Sequence, residues 1–209
     1  SHTCISLIES NFKLTVIDSN INSSELSLEK VKKILLKNNH GFRNSLIFKK
    51  GDIRDKNFLI NLFSQAYKDG HPFNAVIHFA GLKSVRESVE KPILYWDNNV
   101  FGSLRLFEVM SEFNCKTIVF SSSATVYGNV KTVPISEKSL ILPENPYGET
   151  KASVESILKS IFISSNKSWR VACLRYFNPI GAHESGLIGE DPNDIPNNLF
   201  PIICKVALK

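Results

Sequence analysis

The sequence lacks the features of a membrane-spanning or secreted protein. No apolar run approaches the roughly 20 residues that a transmembrane helix needs, and the first residues have neither the basic nor the apolar stretch of a signal peptide. The cysteines form no Cys-x-x-Cys pair and have no histidine at metal-ligand spacing; they are Cys4, Cys115, Cys173 and Cys204. We therefore expect a cytoplasmic protein with no membrane partner, no disulfide and no metal site.

Internal repeats, low-complexity tracts and Gly/Ser-rich linkers are also missing. A chain of 209 residues with 43% hydrophobic residues can bury a substantial core in one main domain. We place that domain at residues 1–182. The sequence then becomes rich in Gly, Pro, Asp and Asn, so we assign 183–209 to the start of a substrate-binding region. The net charge of +5 comes from scattered lysines rather than one basic arm, and we expect no nucleic-acid partner.

Short apolar runs alternate with longer segments of helical period. The predicted strands are 14–18, 46–52, 75–80, 117–121 and 171–177. The predicted helices are 28–36, 55–67, 92–113 and 146–164, followed by a helix that begins at residue 199. The strands are largely apolar, which is typical of strands buried on both faces. This order predicts an α/β fold with a doubly wound parallel sheet covered by helices.

Asp18 ends the first predicted strand, in the run Leu-Thr-Val-Ile-Asp. An acidic residue at the end of this strand in a dinucleotide-binding fold can accept hydrogen bonds from the ribose hydroxyls of the adenosine, and it repels a 2′-phosphate. Asp18 therefore favours NAD over NADP. The alternative is an aspartate that simply ends a strand.

Small and polar residues follow the next two strands, at 51–53 and 78–81. A doubly wound sheet binds its ligand at the carboxyl ends of its strands, so Asp52, Ile53 and the residues after His78 would line the adenine and the ribose. Ordinary turn chemistry explains either motif taken singly. We interpret His78 itself as a core histidine with a hydrogen-bond partner.

A dinucleotide fold begins with a strand, a glycine-rich turn and a helix, and this sequence supplies only the helix. Ile5 and Ile8 would form its buried face. The missing strand is central in the 3-2-1-4-5-6 order, so its neighbours would face a gap of unpaired backbone groups. We therefore expect a domain truncated at its first strand, and we expect that these 209 residues alone do not bind NAD.

Tyr147 and Lys151 are four residues apart and so lie on one face of a predicted helix. An ammonium near a phenol, together with a positive nicotinamide, favours the phenolate and lowers the tyrosine pKa, which makes the tyrosine a usable general base. Ser123, in the run Ser-Ser-Ser-Ala-Thr after strand 117–121, adds a hydroxyl at the same edge of the sheet. The three side chains together predict catalysis rather than a solvated helix pair.

These motifs resemble the extended short-chain dehydrogenase/reductase superfamily, and several stretches narrow the resemblance to the UDP-glucose 4-epimerase family. They are His-Phe-Ala-Gly-Leu-Lys at 78–83, Asp-Asn-Asn-Val at 97–100, residues 121–128, Leu-Arg-Tyr-Phe-Asn-Pro at 174–179, Gly-Glu-Asp-Pro at 189–192 and Ile-Pro-Asn-Asn-Leu at 195–199. The similarity extends over nearly the whole chain. It implies a Rossmann-type NAD-binding domain.

The resemblance also implies the roles of individual residues. Residues that would contact NAD are Asp18, Ser19, Asn20, Ile21, Asn22, Ser23, Asp52, Ile53, Phe79, Ala80, Gly81, Leu82, Lys83, Asn98, Tyr147, Lys151 and Phe177. Residues that would contact the UDP-sugar are Ser123, Tyr147, Asn178, Asn198 and Leu199. The catalytic residues would be Ser123, Tyr147 and Lys151.

The implied activity is interconversion of UDP-galactose and UDP-glucose through a transient 4-keto intermediate, by a homodimer. Another nucleotide-sugar epimerase, a dehydratase and a non-catalytic fragment stay open as alternatives. Dehydration usually needs an Asp-Glu pair after the active-site hydroxyl residue, and this chain has Ala124 and Thr125 there. Two further residues depart from the family pattern: Arg86, where glycine is usual and where a bulky cation could alter a loop, and Glu149, where a basic residue is common.

Overall fold

The computed structural model describes residues 1–37, 45–190 and 198–207, and no helix within these ranges is long and apolar enough to cross a membrane. The elements in chain order are α1 (His2–Glu9), β1 (Leu14–Asp18), α2 (Leu26–Lys37), β2 (Leu46–Lys50), α3 (Lys56–Lys68), β3 (Val76–His78), α4 (Val85–Glu90), α5 (Pro92–Tyr95), a π-helix (Trp96–Phe101), α6 (Gly102–Glu112), β4 (Thr117–Ser123), a 3₁₀-helix (Ala124–Tyr127), α7 (Pro146–Ser164), β5 (Arg170–Tyr176) and α8 (Leu199–Ala207).

The chain divides into two compact units. The terminal unit comprises the described residues of Ser1–Asp52 and Asn178–Lys209, and the central unit comprises Ile53–Phe177. The terminal unit contains α1, β1, α2, β2 and α8, and the central unit contains the other elements. The predicted domain division at residues 182 and 183 stays a prediction.

The terminal unit is built on two parallel strands, β1 and β2, with Asp18 opposite Lys50 at their carboxyl ends. α1 and α2 share an apolar cluster with these strands. Its buried members are Ile5, Ile8, Leu28, Val31, Ile34, Leu35, Leu46 and Ile188. The prediction that Ile5 and Ile8 form the buried face of the first helix is therefore confirmed.

In the central unit, β4 lies between β3 and β5, and all three strands are parallel. Ile118 and Phe120 of β4 are almost completely buried, and α7 packs on β4, on β5 and on the π-helix. β4 is therefore an inner strand held on both sides, and its carboxyl end is a rigid support for the residues that follow.

Local sequence explains where the helices begin. Asp55 caps α3 by accepting a hydrogen bond from the Phe58 N–H at 3.0 Å, as predicted. Asn145 caps α7 by accepting the N–H of Gly148 at 2.9 Å, and Pro146 occupies the first turn, where a missing N–H leaves no hydrogen bond unmade. α7 therefore starts at a fixed residue, one position before Tyr147.

The predicted helix over 92–113 is helical from Pro92 to Glu112, but it contains a π-helix that the sequence pattern does not predict. This range contains α5, the π-helix and α6, and an additional helix, α4, precedes them. A π turn holds one residue more than an α turn, and the side chain of Asn99 within the π-helix is buried. The other predicted strands and helices agree with the structure to within two residues at each end.

Parallel strands that alternate with helices confirm the predicted α/β class. The described strands form two sheets, of two and three strands, rather than one. Within the described residues, β1 pairs only with β2, and β3 pairs only with β4. A break in the sheet is what the sequence predicts.

Neither departure from the family pattern disturbs the local structure. Arg86 lies on the exposed side of α4, where its Nε donates to the Glu90 carboxylate at 3.0 Å. Glu149 is exposed in the first turn of α7, where a negative charge is favourable beside the helix N-terminus.

Phe63 and Tyr67, one turn apart on α3, provide a test of the central core. The Phe63 ring meets the rings of Phe73 and Phe113 at centroid distances of 4.8 and 5.7 Å, and its exposed fraction is 3%, against 67% for Tyr67. We expect Phe63→Ala to lower the free energy of unfolding by about 3 to 5 kcal/mol, because it opens a cavity. Tyr67→Ala should change it by about 0.5 kcal/mol at most. Urea unfolding of both variants measures this, and equal effects would contradict the core assignment.

Candidate active site

The hydroxyl of Ser123 lies where β4 ends and the 3₁₀-helix begins. Its Oγ accepts hydrogen bonds from the backbone N–H and from the hydroxyl of Thr125, at 3.2 and 2.9 Å. With both bonds accepted, the proton of Ser123 is free to point toward another oxygen. Ser123 is buried, so this direction is set by the protein rather than by bulk water.

Tyr147 lies in the first turn of α7, next to the end of β4. A Cβ at Gly148 would come within 2.9 Å of the Thr125 carbonyl oxygen, so only glycine lets the helix approach this closely. The phenol and the Ser123 hydroxyl are close enough to interact, and this interaction affects the pKa of Tyr147. Burial raises the pKa of Tyr147 above its ordinary value, and the interaction with Ser123 partly opposes this rise. The lowering predicted from the sequence requires the positive charge of a nicotinamide as well, and it stays a prediction.

Lys151 is buried one turn after Tyr147, with 5% of its surface exposed. Its Nζ donates to the Ser121 carbonyl at 2.8 Å and lies 4.9 Å from the ring centroid of Phe120 and 5.8 Å from that of Tyr147. Burial lowers the pKa of the ammonium to about 8. The structure therefore brings together the three predicted catalytic side chains.

The loop after β3 is held against the same place by Asn99. The Asn99 amide accepts the N–H of Leu82 at 2.8 Å and donates to the Leu82 carbonyl at 3.0 Å. It also donates to the Thr150 hydroxyl at 3.2 Å, and Thr150 in turn bonds to the Tyr147 carbonyl at 2.7 Å. One buried amide thus connects the loop that begins at Phe79 with α7, the helix that carries Tyr147 and Lys151.

His78 is a core residue, in agreement with its interpretation from the sequence. Its Nε2 lies 2.8 Å from the Ser103 hydroxyl, and that hydroxyl donates to the Asn99 carbonyl at 2.5 Å. Ser103 therefore accepts the proton of Nε2, which defines the tautomer. Burial, reinforced by the charge of Lys151, lowers the pKa of His78 to about 3, so the ring is neutral.

Asp18 organises the loop after β1 in the terminal unit. Its Oδ1 accepts hydrogen bonds from the Asn20 N–H at 2.8 Å and from the Ser23 hydroxyl at 2.7 Å. Gly51 after β2 donates its N–H to the Asp18 carbonyl at 3.1 Å, so the ends of both strands meet here. Among the described residues, Oδ2 of Asp18 accepts no hydrogen bond and is available to a hydroxyl group.

The remaining predicted cofactor residues differ in exposure. Ile21 and Asn22 are exposed in the loop after β1, Phe79, Ala80 and Lys83 are exposed after β3, Phe177 is exposed after β5, and Ser19, Asp52 and Asn98 are partly buried. Ile53 is buried, and a Cβ at Gly102 would come within 2.8 Å of its side chain. Ile53 therefore packs against α6 whether or not it contacts a cofactor.

The predicted substrate residues fall in both units. Ser123 and Tyr147 belong to the central unit, whereas Asn178, Asn198 and Leu199 belong to the terminal unit. Asn178 and Leu199 are exposed, and the Asn198 amide donates to the Glu190 carboxylate. Part of the Ile-Pro-Asn-Asn-Leu motif lies outside the described residues.

Each unit, taken by itself, holds groups that suit one end of NAD. Oδ2 of Asp18 suits a ribose hydroxyl. A Cβ at Gly81 would come within 3.1 Å of Asn99 Oδ1 and 3.6 Å of Lys151 Nζ, so a glycine backbone passes directly over these groups, as close approach of a ligand requires. Lys151 Nζ uses one of its three N–H groups on the Ser121 carbonyl, so two donors remain at the nicotinamide end.

A family profile described as GDP-mannose 4,6 dehydratase matches residues 1–208. The chain belongs to this family. UDP-glucose 4-epimerase 2 of Arabidopsis thaliana is 49% identical to the chain over 208 residues. The match covers 100% of the chain and 57% of that relative. UDP-glucose 4-epimerase GEPI48 of Cyamopsis tetragonoloba has the same identity and the same coverage.

Two solved structures similar to the chain are UDP-glucose 4-epimerases. The enzyme of Bifidobacterium longum, in complex with NAD+ and UDP, is 44% identical to the chain with a TM-score of 0.88. The match covers 99% of the chain and 58% of the Bifidobacterium enzyme. The enzyme of Stenotrophomonas maltophila, with bound NAD and formylated UDP-arabinopyranose, has a TM-score of 0.88, 39% identity and the same coverage. The chain thus spans somewhat more than half the length of these relatives. The family resemblance and the fold predicted from the sequence are confirmed.

Sequence reasoning missed Asn99, Thr150 and Gly148, which hold the site of this family member together. Asn98, the neighbour of Asn99, was assigned to the cofactor instead. A polar residue within an apolar helical stripe is the one sequence signal for Asn99, and the π-helix that places its side chain in the core is not visible in the pattern. Gly148 and Thr150 lie inside the Tyr-x-x-x-Lys motif, which specifies only Tyr147 and Lys151 and says nothing about the residues between them.

Burial of the Lys151 amine should make stability depend on pH. The unfolded chain holds this proton up to the ordinary pKa of 10.5, whereas the folded chain releases it near a pKa of about 8. Between these pH values the unfolded state binds more protons, so the free energy of unfolding rises with pH, and the full cost of burying the charge is present below pH 8.

We therefore expect the stability of Lys151→Met relative to the parent chain to be greatest below pH 8 and to decline as the pH rises from about 8 to about 10.5. Denaturant unfolding at a series of pH values measures this difference. Lys159→Met is the matched control, because Lys159 is exposed on the same helix. A Lys151→Met difference that is constant over this range would show that the amine is not destabilised by burial.

Proposed function

We propose that this chain forms the NAD-binding and catalytic part of a cytoplasmic, homodimeric enzyme that interconverts UDP-galactose and UDP-glucose. The observation that carries the proposal is the cluster of Ser123, Tyr147 and Lys151 at the carboxyl end of β4. Its phenol interacts with a buried serine, and its ammonium is anchored to the Ser121 carbonyl one helical turn away. The identity to UDP-glucose 4-epimerases along the whole chain supports the choice of substrate.

Tyr147 acts as the general base. It removes the proton of the 4-hydroxyl of the sugar as the carbon is oxidised, and it returns that proton when the 4-keto sugar is reduced from its other face. Tyr147 is partly exposed, and Ser123, whose Oγ accepts two hydrogen bonds from Thr125, keeps its own proton for an oxygen of the phenol or of the sugar. Ser123 therefore stabilises negative charge on either the phenolate or the sugar oxygen.

Lys151 orients the cofactor and favours the phenolate form of Tyr147, the base. Its Nζ donates one hydrogen bond to Ser121, so two of its three protons remain for the nicotinamide ribose. A positive charge near the phenol favours the phenolate over the neutral form. Bound NAD supplies the acceptor and donor of the hydride at carbon 4. Asp18 and the loop after β1 would hold the adenosine ribose, and Gly81 and Leu82 would line the nicotinamide end.

The name of the family profile favours a second candidate, a sugar-nucleotide 4,6-dehydratase. Elimination needs an acid and a base beyond Tyr147, and the positions after Ser123 hold Ala124 and Thr125. Thr125 uses both its N–H and its hydroxyl to bond to Ser123, so it serves the serine rather than a second proton transfer. Product analysis with the full-length protein separates the two candidates, because accumulation of a 4-keto-6-deoxy sugar would contradict the epimerase.

A homodimer is proposed through the π-helix and α7. These helices border an apolar groove that is lined by Trp96, Val100, Ile157 and Ile161 and by four serines. An apolar groove between two helices suits the helices of a second copy. The described cysteines are free thiols, which supports a reducing compartment such as the cytoplasm.

We expect Ile161→Asp to shift the protein from dimer to monomer, because the substitution places a charge in the groove. Ile163→Asp is the matched control, since Ile163 is exposed on the same helix and does not line the groove. Sedimentation velocity at micromolar concentration distinguishes the two species. A parent protein that sediments as a monomer, or equal dissociation by both variants, would contradict this interface.

Tyr147→Phe in the full-length protein should reduce the turnover of UDP-galactose by about 10²-fold or more, which is the usual loss when a positioned proton acceptor is removed. Folding and UDP binding should be unchanged, because the ring still fills its place beside β4. Turnover by a coupled assay and UDP binding by calorimetry measure the two effects. Tyr67→Phe, which changes an exposed tyrosine, is the control. Near-normal turnover by Tyr147→Phe would reject this tyrosine as the base.

A further inference from the structure

Three side chains of α7 face β4 in a single row. They are spaced by four residues and so lie on one side of the helix. Each meets a different residue in the serine run that ends β4: Lys151 bonds to the Ser121 carbonyl, Glu155 bonds to the Ser122 hydroxyl, and the Tyr147 phenol interacts with the Ser123 hydroxyl. Glu155 is the only member of the row without a role in the chemistry proposed above.

Glu155 is held by Arg175 of β5. The guanidinium donates from Nε to Oε1 at 3.0 Å and from Nη2 to Oε2 at 2.7 Å, so both carboxylate oxygens are engaged in a planar fork. Ser122 donates to Oε1 at 2.5 Å, and Ser122 is the direct neighbour of Arg175 across the β4–β5 ladder. One carboxylate therefore connects α7 to two adjacent strands at a defined register.

The same guanidinium reaches the segment that carries Ser123. Its Nη1 donates to the Tyr127 hydroxyl at 2.8 Å and to the Glu137 carbonyl at 3.2 Å, and its Cζ lies 5.0 Å from the centroid of the Tyr127 ring. Tyr127 ends the 3₁₀-helix that Ser123 caps. Arg175 thus braces the 3₁₀-helix from one side while Glu155 braces α7 from the other.

Burial of this ion pair argues against a simple stabilising role. The exposed fractions of the Arg175 and Glu155 side chains are 20% and 9%. Desolvation of a buried pair offsets most of the attraction between its charges, and apolar replacement of both partners is often neutral for stability. What such a pair provides is a defined arrangement, because only one geometry satisfies the fork.

We propose that Glu155 and Arg175 are positioning residues that hold α7 on β4 so that the Tyr147 phenol stays in contact with the Ser123 hydroxyl. Neither residue touches the substrate or the cofactor in this assignment. The proposal rests on the proposed function, in which Tyr147 is the base. It predicts that loss of the pair impairs the chemical step more than it impairs folding or substrate binding.

The test replaces both partners, as Glu155→Met with Arg175→Met in one full-length protein, so that no buried charge is left alone. The control replaces the exposed pair of α4, as Arg86→Met with Glu90→Met, whose side chains are 90% and 55% exposed. For both double variants and the parent, the measurements are the thermal midpoint, kcat and KM for UDP-galactose, and the pH dependence of kcat.

We expect the buried-pair variant to fold with a thermal midpoint close to that of the parent. Its kcat should fall by about 10- to 100-fold, the scale of a small misplacement at a reacting centre, while KM changes by about threefold at most. The pKa of the base in the kcat profile should rise by about half a pH unit or more, because the phenolate loses the interaction with the Ser123 hydroxyl that favours it. The exposed-pair variant should match the parent in all measurements.

A folded buried-pair variant with the kcat and pH profile of the parent would overturn the positioning role. If this variant fails to fold, Glu155→Gln, which keeps the shape and removes the charge, replaces it under the same criteria. A parent that does not turn over UDP-galactose would refute the proposed function instead. In that case crystal structures decide the positioning role: it stands if the Tyr147–Ser123 contact is lost in the variant, and it falls if the contact is retained.

Discussion

The close contact between the first turn of α7 and the end of β4 is the constraint on which the candidate site depends. A methyl group at Gly148 would come within 2.9 Å of the Thr125 carbonyl oxygen, which leaves no space for a larger residue. Asn145 and Pro146 determine where the helix starts, so Tyr147 arrives beside Ser123 rather than one turn away. The geometry of the base therefore follows from a helix cap, a proline and a glycine, none of which takes part in chemistry.

Burial of polar side chains shapes the candidate site, and burial of the Lys151 ammonium also lowers the stability of the fold. The Lys151 ammonium is buried and donates a hydrogen bond to the Ser121 carbonyl of β4. Burial of the nearby His78 ring, reinforced by the charge of Lys151, keeps that ring neutral. In the part of the chain that the structure describes, no buried side-chain nitrogen or oxygen lacks a hydrogen-bond partner. Such complete pairing means that removal of one member leaves another unsatisfied, so the polar groups around Tyr147 are tied to a single arrangement.

The family name and the names of the relatives point to different reactions, and the fold does not choose between them. Both reactions need oxidation at carbon 4, for which one base and one hydride acceptor are sufficient. They separate at the next step, where elimination requires further proton transfers. The residues directly after Ser123 are therefore more informative about function than the rest of the domain, because function resides in the site rather than in the fold.

From the sequence alone follow the α/β class, nearly all strand positions, the NAD preference and the Ser-Tyr-Lys cluster. These features depend on local period, on turn residues and on spacing within one helix, all of which are written along the chain. Only the tertiary structure revealed the π-helix with its buried Asn99, the close approach at Gly148 and the fork between Glu155 and Arg175. Each of these joins residues that are distant in sequence or depends on how closely two backbones approach, and neither quantity has a period or a motif.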